Sequence, residues 1–128
     1  MSYYFKKETS LSFEEAENKV REELQKEGFG VLTEIDVTAT LKKKLDVDFK
    51  PYKILGACNP PYAYKALQAE EQIGLMLPCN VVVQENSAGN IVVSAIDPIA
   101  SMQAVENSGL GPVALEVQEK LKKVIDSL

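Results

Sequence analysis

Between Phe13 and Leu24, apolar side chains recur at Phe13, Ala16, Val20 and Leu24, with charge at most positions between them. That spacing is helical and sets one apolar stripe on a charged cylinder. Ser12 with Glu15 three residues on has the form of a capping box, and Leu11 with Ala16 that of a weak hydrophobic staple. Gly28 ends the helix as a residue free to take a left-handed conformation. Ahead of it, SYYFKKET is short, aromatic and β-prone, and predicts a first strand. After it the period changes to two. Val31, Thr33, Ile35 and Val37 alternate with other residues and predict a strand that turns those four toward a core.

ATLKKKLDV predicts a short helix or turn, stopped by the aspartates and Pro51. YKILGACN predicts a third strand, whose small Gly56 and Ala57 imply a bulge or close approach by another backbone. PPYAYKALQAEE predicts a helix with Asn59 as N-cap and Pro60 at its first position. LPCNVVVQEN and NIVVSAIDP predict two strands joined by ENSAGN, a hairpin turn with Gly89 at positive φ. The run Val81–Val82–Val83 predicts a central, covered strand. DPIASMQAVEN predicts a connection with one or two helical turns. GPVALEVQEKLKKVIDSL predicts a closing amphipathic helix, with Val113, Val117, Leu121 and Val124 on one stripe. The order strand, helix, four strands, helix predicts an α+β fold: a mostly antiparallel sheet with helices packed on one face.

Composition narrows the function classes. The 128 residues predict a single domain spanning 1–128, long enough to bury a core without disulfides. The net charge is −5, with the acidity concentrated in the second half. No basic field exists to draw nucleic acid or anionic lipid, and the one basic run, Lys42–Lys43–Lys44, reads as a solvated helix face. No apolar run has the length of a membrane span, and the first residues lack the form of a secretory signal. With two unpaired-looking cysteines, this predicts a cytoplasmic protein that binds neither nucleic acid nor membrane. Histidine is absent, which removes histidine-based catalysis and histidine metal sites.

Candidate chemistry gathers in CNPPYAYKALQAEEQIGLMLPCN, which opens and closes on Cys-Asn and holds both cysteines. The cysteine spacing matches no zinc or thioredoxin-type signature, so no metal and no cofactor is expected. Cys58 stands just ahead of a predicted helix N-terminus, where the dipole would lower a thiol pKa. If the third and fourth strands are antiparallel neighbours, the two dipeptides meet at one sheet end. The candidate ligand site is then Cys58, Asn59, Pro60, Pro78, Cys79 and Asn80, with both asparagine amides turned into a shared pocket. The alternative is two cysteines packing as small hydrophobes beside structurally ordinary asparagines.

ILGACNPPYAYKALQAEEQIGLMLPCNVVV, with Asp-Pro after the next strand, resembles the bacterial and archaeal domain of unknown function 302. The resemblance runs from the first amphipathic helix to the last. It implies a fold similar to the TATA-binding-protein-like class and a homodimer, and it brings no catalytic residue with it. Likeness to a DNA-binding fold class implies no DNA binding, because fold does not give function. The expectation is a homodimeric binding domain for a small molecule, without catalysis. A thiol-based redox or sulfur-handling protein using Cys58 and Cys79, and a purely structural dimerisation module, are the alternatives.

Overall fold

The computed structural model describes residues 2–128. Strand β1 (Tyr4–Thr9) leads through the Ser12 cap into α1 (Phe13–Lys26), and both capping-box hydrogen bonds form. Gly28 turns the chain at φ 88°, and β2 (Gly30–Asp36) follows. Helix α2 (Val37–Leu45) precedes β3 (Tyr52–Cys58), and α3 (Pro60–Ala69) follows it. A 3₁₀ segment, Glu71–Met76, then leads to β4 (Cys79–Glu85) and β5 (Ile91–Ile96). Their hairpin carries Gly89 at φ 84°, and Asn86 Oδ1 accepts from the amides of Ala88 and Asn90. The short α4 (Pro98–Ser101), capped by Asp97, and a 3₁₀ turn at Ser108–Leu110 lead into α5 (Gly111–Asp126).

The five strands form one sheet in the order β1-β5-β4-β3-β2, and every pairing is antiparallel. Helices α1 and α5 lie on one face. Their apolar stripes (Ala16, Val20 and Leu24; Val117, Leu121, Val124 and Ile125) close over Leu55, Val81, Val83 and Val93 in one buried cluster. Burying each large aliphatic side chain there contributes about 1.5–3 kcal/mol. The valine run does fall in the central strand. It is covered on one side only, because Val82 points away from the helices and stays half-buried.

Strand β2 departs from its period-two reading. The register shifts between Val31 and Thr33, leaving Leu32 as an extra, exposed residue. A bulge of one residue sends all later side chains to the other face. Val31 therefore stays half-buried opposite Ala57. Thr33 and Ile35 turn to the helix-free face, and Ile35 is exposed. Val37, expected as the strand's fourth inward residue, begins α2 instead.

Candidate functional site

The antiparallel pairing of β3 with β4 sets Ala57 opposite Cys79 and Gly56 opposite Asn80. The two Cys-Asn dipeptides thus arrive at one end of neighbouring strands. Cys58, Asn59, Pro78 and Cys79 line a single cavity together with Tyr62, Leu77 and the start of α5. The cavity measures about 30 Å³ and its walls are almost wholly apolar. That is room for about one water molecule. Pro60, the first residue of α3, is exposed and outside it.

The asparagines separate. Side chains alternate along a strand, so with Cys79 buried toward the helices, Asn80 lies on the opposite, open face. Asn59 is buried at the α3 N-terminus, but its side chain caps nothing there. Its Nδ2 donates to the Glu27 carbonyl at 3.0 Å, across to the C-terminus of α1. A shared amide pocket does not form: the strand pleat turns one amide out, and a backbone carbonyl takes the other.

Burial works against the thiolate form of both cysteines. Burial pushes the Cys58 thiol up, opposite to the lowering expected at a helix N-terminus. Cys79 is raised to about 11, first by burial and then by the nearby Cys58. The desolvation comes from walls that are almost wholly hydrocarbon. Both cysteines are free.

Gly56 explains why a small residue stands at this corner. A Cβ there would lie 2.0 Å from Thr33 Oγ1 and 2.7 Å from Pro78 Cγ. The bulge in β2 brings Thr33 over Gly56 from one side, and the proline before Cys79 closes from the other. The segment Pro78-Cys79-Asn80 thereby contributes to both faces of the sheet.

The open face holds a larger feature. A trough of about 490 Å³ runs over β1, β5 and β4 to the start of β3. One row across four strands is Glu8, Val92, Gln84 and Tyr52; the next is Lys6, Ser94 and Val82; beyond it Tyr4 pairs with Ile96. Val82, Val92 and Ile96 give an apolar floor, and Asn80, Gln84, Ser94 and Tyr52 set neutral hydrogen-bonding groups along it. Lys6 makes no ion pair among the described residues, while the Glu8 carboxylate accepts from Asn90 Nδ2. Of the six residues nominated from sequence, only Asn80 borders the trough. Among the described residues, no cluster of three metal-ligating carboxylates or thiols occurs, and no helix is long and apolar enough to cross a membrane.

The comparisons with known proteins bear on the family and the fold. A model of the family described as domain of unknown function DUF302 matches residues 5–128. The chain belongs to the DUF302 family. The crystal structure of an uncharacterized conserved DUF302 protein from Bacillus stearothermophilus is similar at 28% identity, with a TM-score of 0.91 and 98% of each chain covered. Among curated proteins no relative matches. The likeness spans the whole DUF302 domain, sheet and helices alike.

The trough was missed in the sequence because its residues carry no motif. Val92, Ser94 and Ile96 show the alternation of a half-covered strand, and Gln84 breaks the apolar run of β4. Those signs mark an outward face. Only the strand order brings Lys6, from the first strand, beside Ser94 and Val82.

Proposed function

We propose that this DUF302 domain is a binding module, working as a homodimer, that holds a small organic molecule in the trough of its open sheet face. The supporting observation is the trough itself. At about 490 Å³ it falls in the range of small-molecule sites, whereas the cavity between the cysteines holds no more than a water. An apolar floor with a few hydrogen-bonding groups and Lys6, which has no ion-pair partner among the described residues, suits a partly flat molecule with an anionic or strongly accepting end. The thiol-based alternative loses support, since burial disfavours the thiolate of both Cys58 and Cys79.

Native mass spectrometry of freshly purified protein tests the proposal. Wild-type protein is expected to carry a non-covalent small-molecule mass, released by organic solvent. Val82→Trp fills the trough from a half-buried, outward position, and is expected to lose that mass while keeping the fold. A bound mass that survives Val82→Trp, or wild-type protein that neither carries nor takes up any small organic acid, overturns the assignment.

A further inference from the structure

Two residues of opposite charge, Lys6 and Glu8, line the trough, and its other described lining residues are neutral. Both stand on the edge strand β1, two positions apart, so the pleat sets them on the same open face. Lys7 between them turns to the helices, where its Nζ donates to the Asp126 carbonyl of α5 at 3.2 Å. The rise of a strand separates the Lys6 and Glu8 backbones by about 7 Å. Neither forms an ion pair with the other, or with any further residue among those described. Asn90 Nδ2 donates to Glu8 Oε1 and tethers that side chain, while Oε2 accepts from no protein group among the described residues.

The neighbouring strands complete the pattern. Ser94 stands directly opposite Lys6, and Val92 directly opposite Glu8. Val82 and Gln84 continue these two rows on β4. A cation with a hydroxyl beside it and an anion with apolar surface beside it thus occupy adjacent rows at one side of the trough.

This arrangement separates ligands by charge. A carboxylate drawn to Lys6 comes within one row of the Glu8 carboxylate, and a like charge at that range opposes it. An amine drawn to Glu8 meets Lys6 in the same way. A molecule that carries both charges close together satisfies both side chains at once. Its remaining part then leaves the β1 edge over Val92 and Val82, along the apolar floor toward Tyr52. Edge strands often carry charge merely to discourage pairing with another chain. That role accounts for charge on β1, but it requires neither opposite signs on one face nor an apolar floor beside them.

We infer that the trough takes a small zwitterion, an α-amino acid with an apolar side chain, holding its carboxylate on Lys6 and Ser94 and its ammonium on Glu8. The inference rests on reading the trough as a small-molecule site. It adds the second charge that a simple anion lacks.

Amide chemical shifts of isotope-labelled protein, followed during titration to about 10 mM ligand, report affinity and location together. The probes are L-leucine and L-phenylalanine, each beside its deaminated acid and its decarboxylated amine. At least one amino acid is expected to move amides of β1, β5 and β4. It is expected to bind about fivefold more tightly than its acid or its amine, the upper worth of one exposed ion pair. Glu8→Gln keeps an acceptor for Asn90 and is expected to make amino acid and acid bind alike. Lys6→Met is expected to make amino acid and amine bind alike. Both positions are exposed, and the spread of amide shifts reports that each variant is folded. An acid that binds wild-type protein as tightly as its amino acid overturns the inference and leaves the trough an anion site. Amino-acid binding indifferent to both substitutions also overturns it. Shifts that survive Val82→Trp overturn the trough reading as well. No shift with any probe overturns the inference: a different small molecule found on native protein then keeps the trough reading, and the absence of one removes both.

Discussion

Asn59 Nδ2 donates to the Glu27 carbonyl at 3.0 Å, tying the β3–α3 junction to the C-terminal end of α1. The contact spans 32 residues and is made by a buried amide. Asn59→Ala leaves a part-buried backbone carbonyl without that donor, which costs about 1 kcal/mol. A urea titration is expected to show a lower midpoint with an unchanged slope. Asn59→Asp is expected to be at least as damaging, since it sets a carboxylate against a carbonyl oxygen. Wild-type stability in Asn59→Ala would remove the tie as a stabilising element.

Gly56 is the most closely approached glycine among the described residues. Any Cβ there meets Thr33 Oγ1 and Pro78 Cγ at distances no real contact reaches. Gly56→Ala is expected to lose about 1–3 kcal/mol through overpacking. Thr33→Ala in the same chain removes the nearer clash and is expected to restore part of the loss, while Pro78 still limits recovery. Thermal unfolding of the two single variants and the double one gives the coupling. Strict additivity would show that Thr33 is not the obstacle.

The thiols set an alkaline limit. Cys79 has its folded pKa raised from 9.0 to about 11, mainly by burial. A raised folded value means that the folded state keeps its proton while the unfolded state loses it. The associated stability is complete below the unfolded value and is lost as pH climbs through the folded value, in a window from about 9 to about 11. Cys79→Ala is expected to flatten the fall in melting temperature across that window. At neutral pH, iodoacetamide is expected to modify Cys58 slowly and Cys79 only on unfolding, read by intact mass. Fast alkylation of either thiol in folded protein at neutral pH would contradict the burial argument.

Lys53 joins α1 to the sheet. Its Nζ lies 2.8 Å from Glu17 Oε1 and 2.8 Å from Glu34 Oε1, and Arg21 bridges the same two carboxylates. The Glu17 hydrogen bond is the largest cause of the raised Lys53 pKa, and the Lys53 hydrogen bond the largest cause of the lowered Glu34 pKa. Lys53→Met keeps the stem and removes the charge. It is expected to cost about 1–2 kcal/mol, because the Lys53–Glu17 pair is largely shielded while Arg21 still holds Glu17. For Glu34 the folded value is depressed, so its contribution is present above its unfolded value and lost as pH falls through the folded one. Urea midpoints measured from neutral pH to about pH 3 are expected to fall less steeply in Lys53→Met than in wild type. An identical acid slope would show that the network does not couple to folding.

Much of the architecture was legible in the residues. The Ser12–Glu15 pair, the stripes of α1 and α5, and the glycines at 28 and 89 are local signals, and local rules decide caps, periods and turns. The α+β order and the antiparallel sheet followed from them, as did the central place of the valine strand. The approach of the two Cys-Asn segments was conditional on antiparallel neighbours, and the pairing of Ala57 with Cys79 meets that condition.

The tertiary structure decided what the segments do there. Strand pleating sends Asn80 to the face opposite Cys79, which no dipeptide echo reveals. One extra residue at Leu32 reverses the inward and outward sides of β2, since a side-chain period of two has no tolerance for a shift of one. Burial among apolar residues brought in from α3 and α5 raises both thiol pKa values, which the residues beside each cysteine in sequence do not reveal. The sequence by itself determined which elements form, because those choices are made within a few residues. Which faces meet, which stay open and where a cavity of ligand size lies depend on strand order, and strand order is fixed by contacts between residues far apart in the chain.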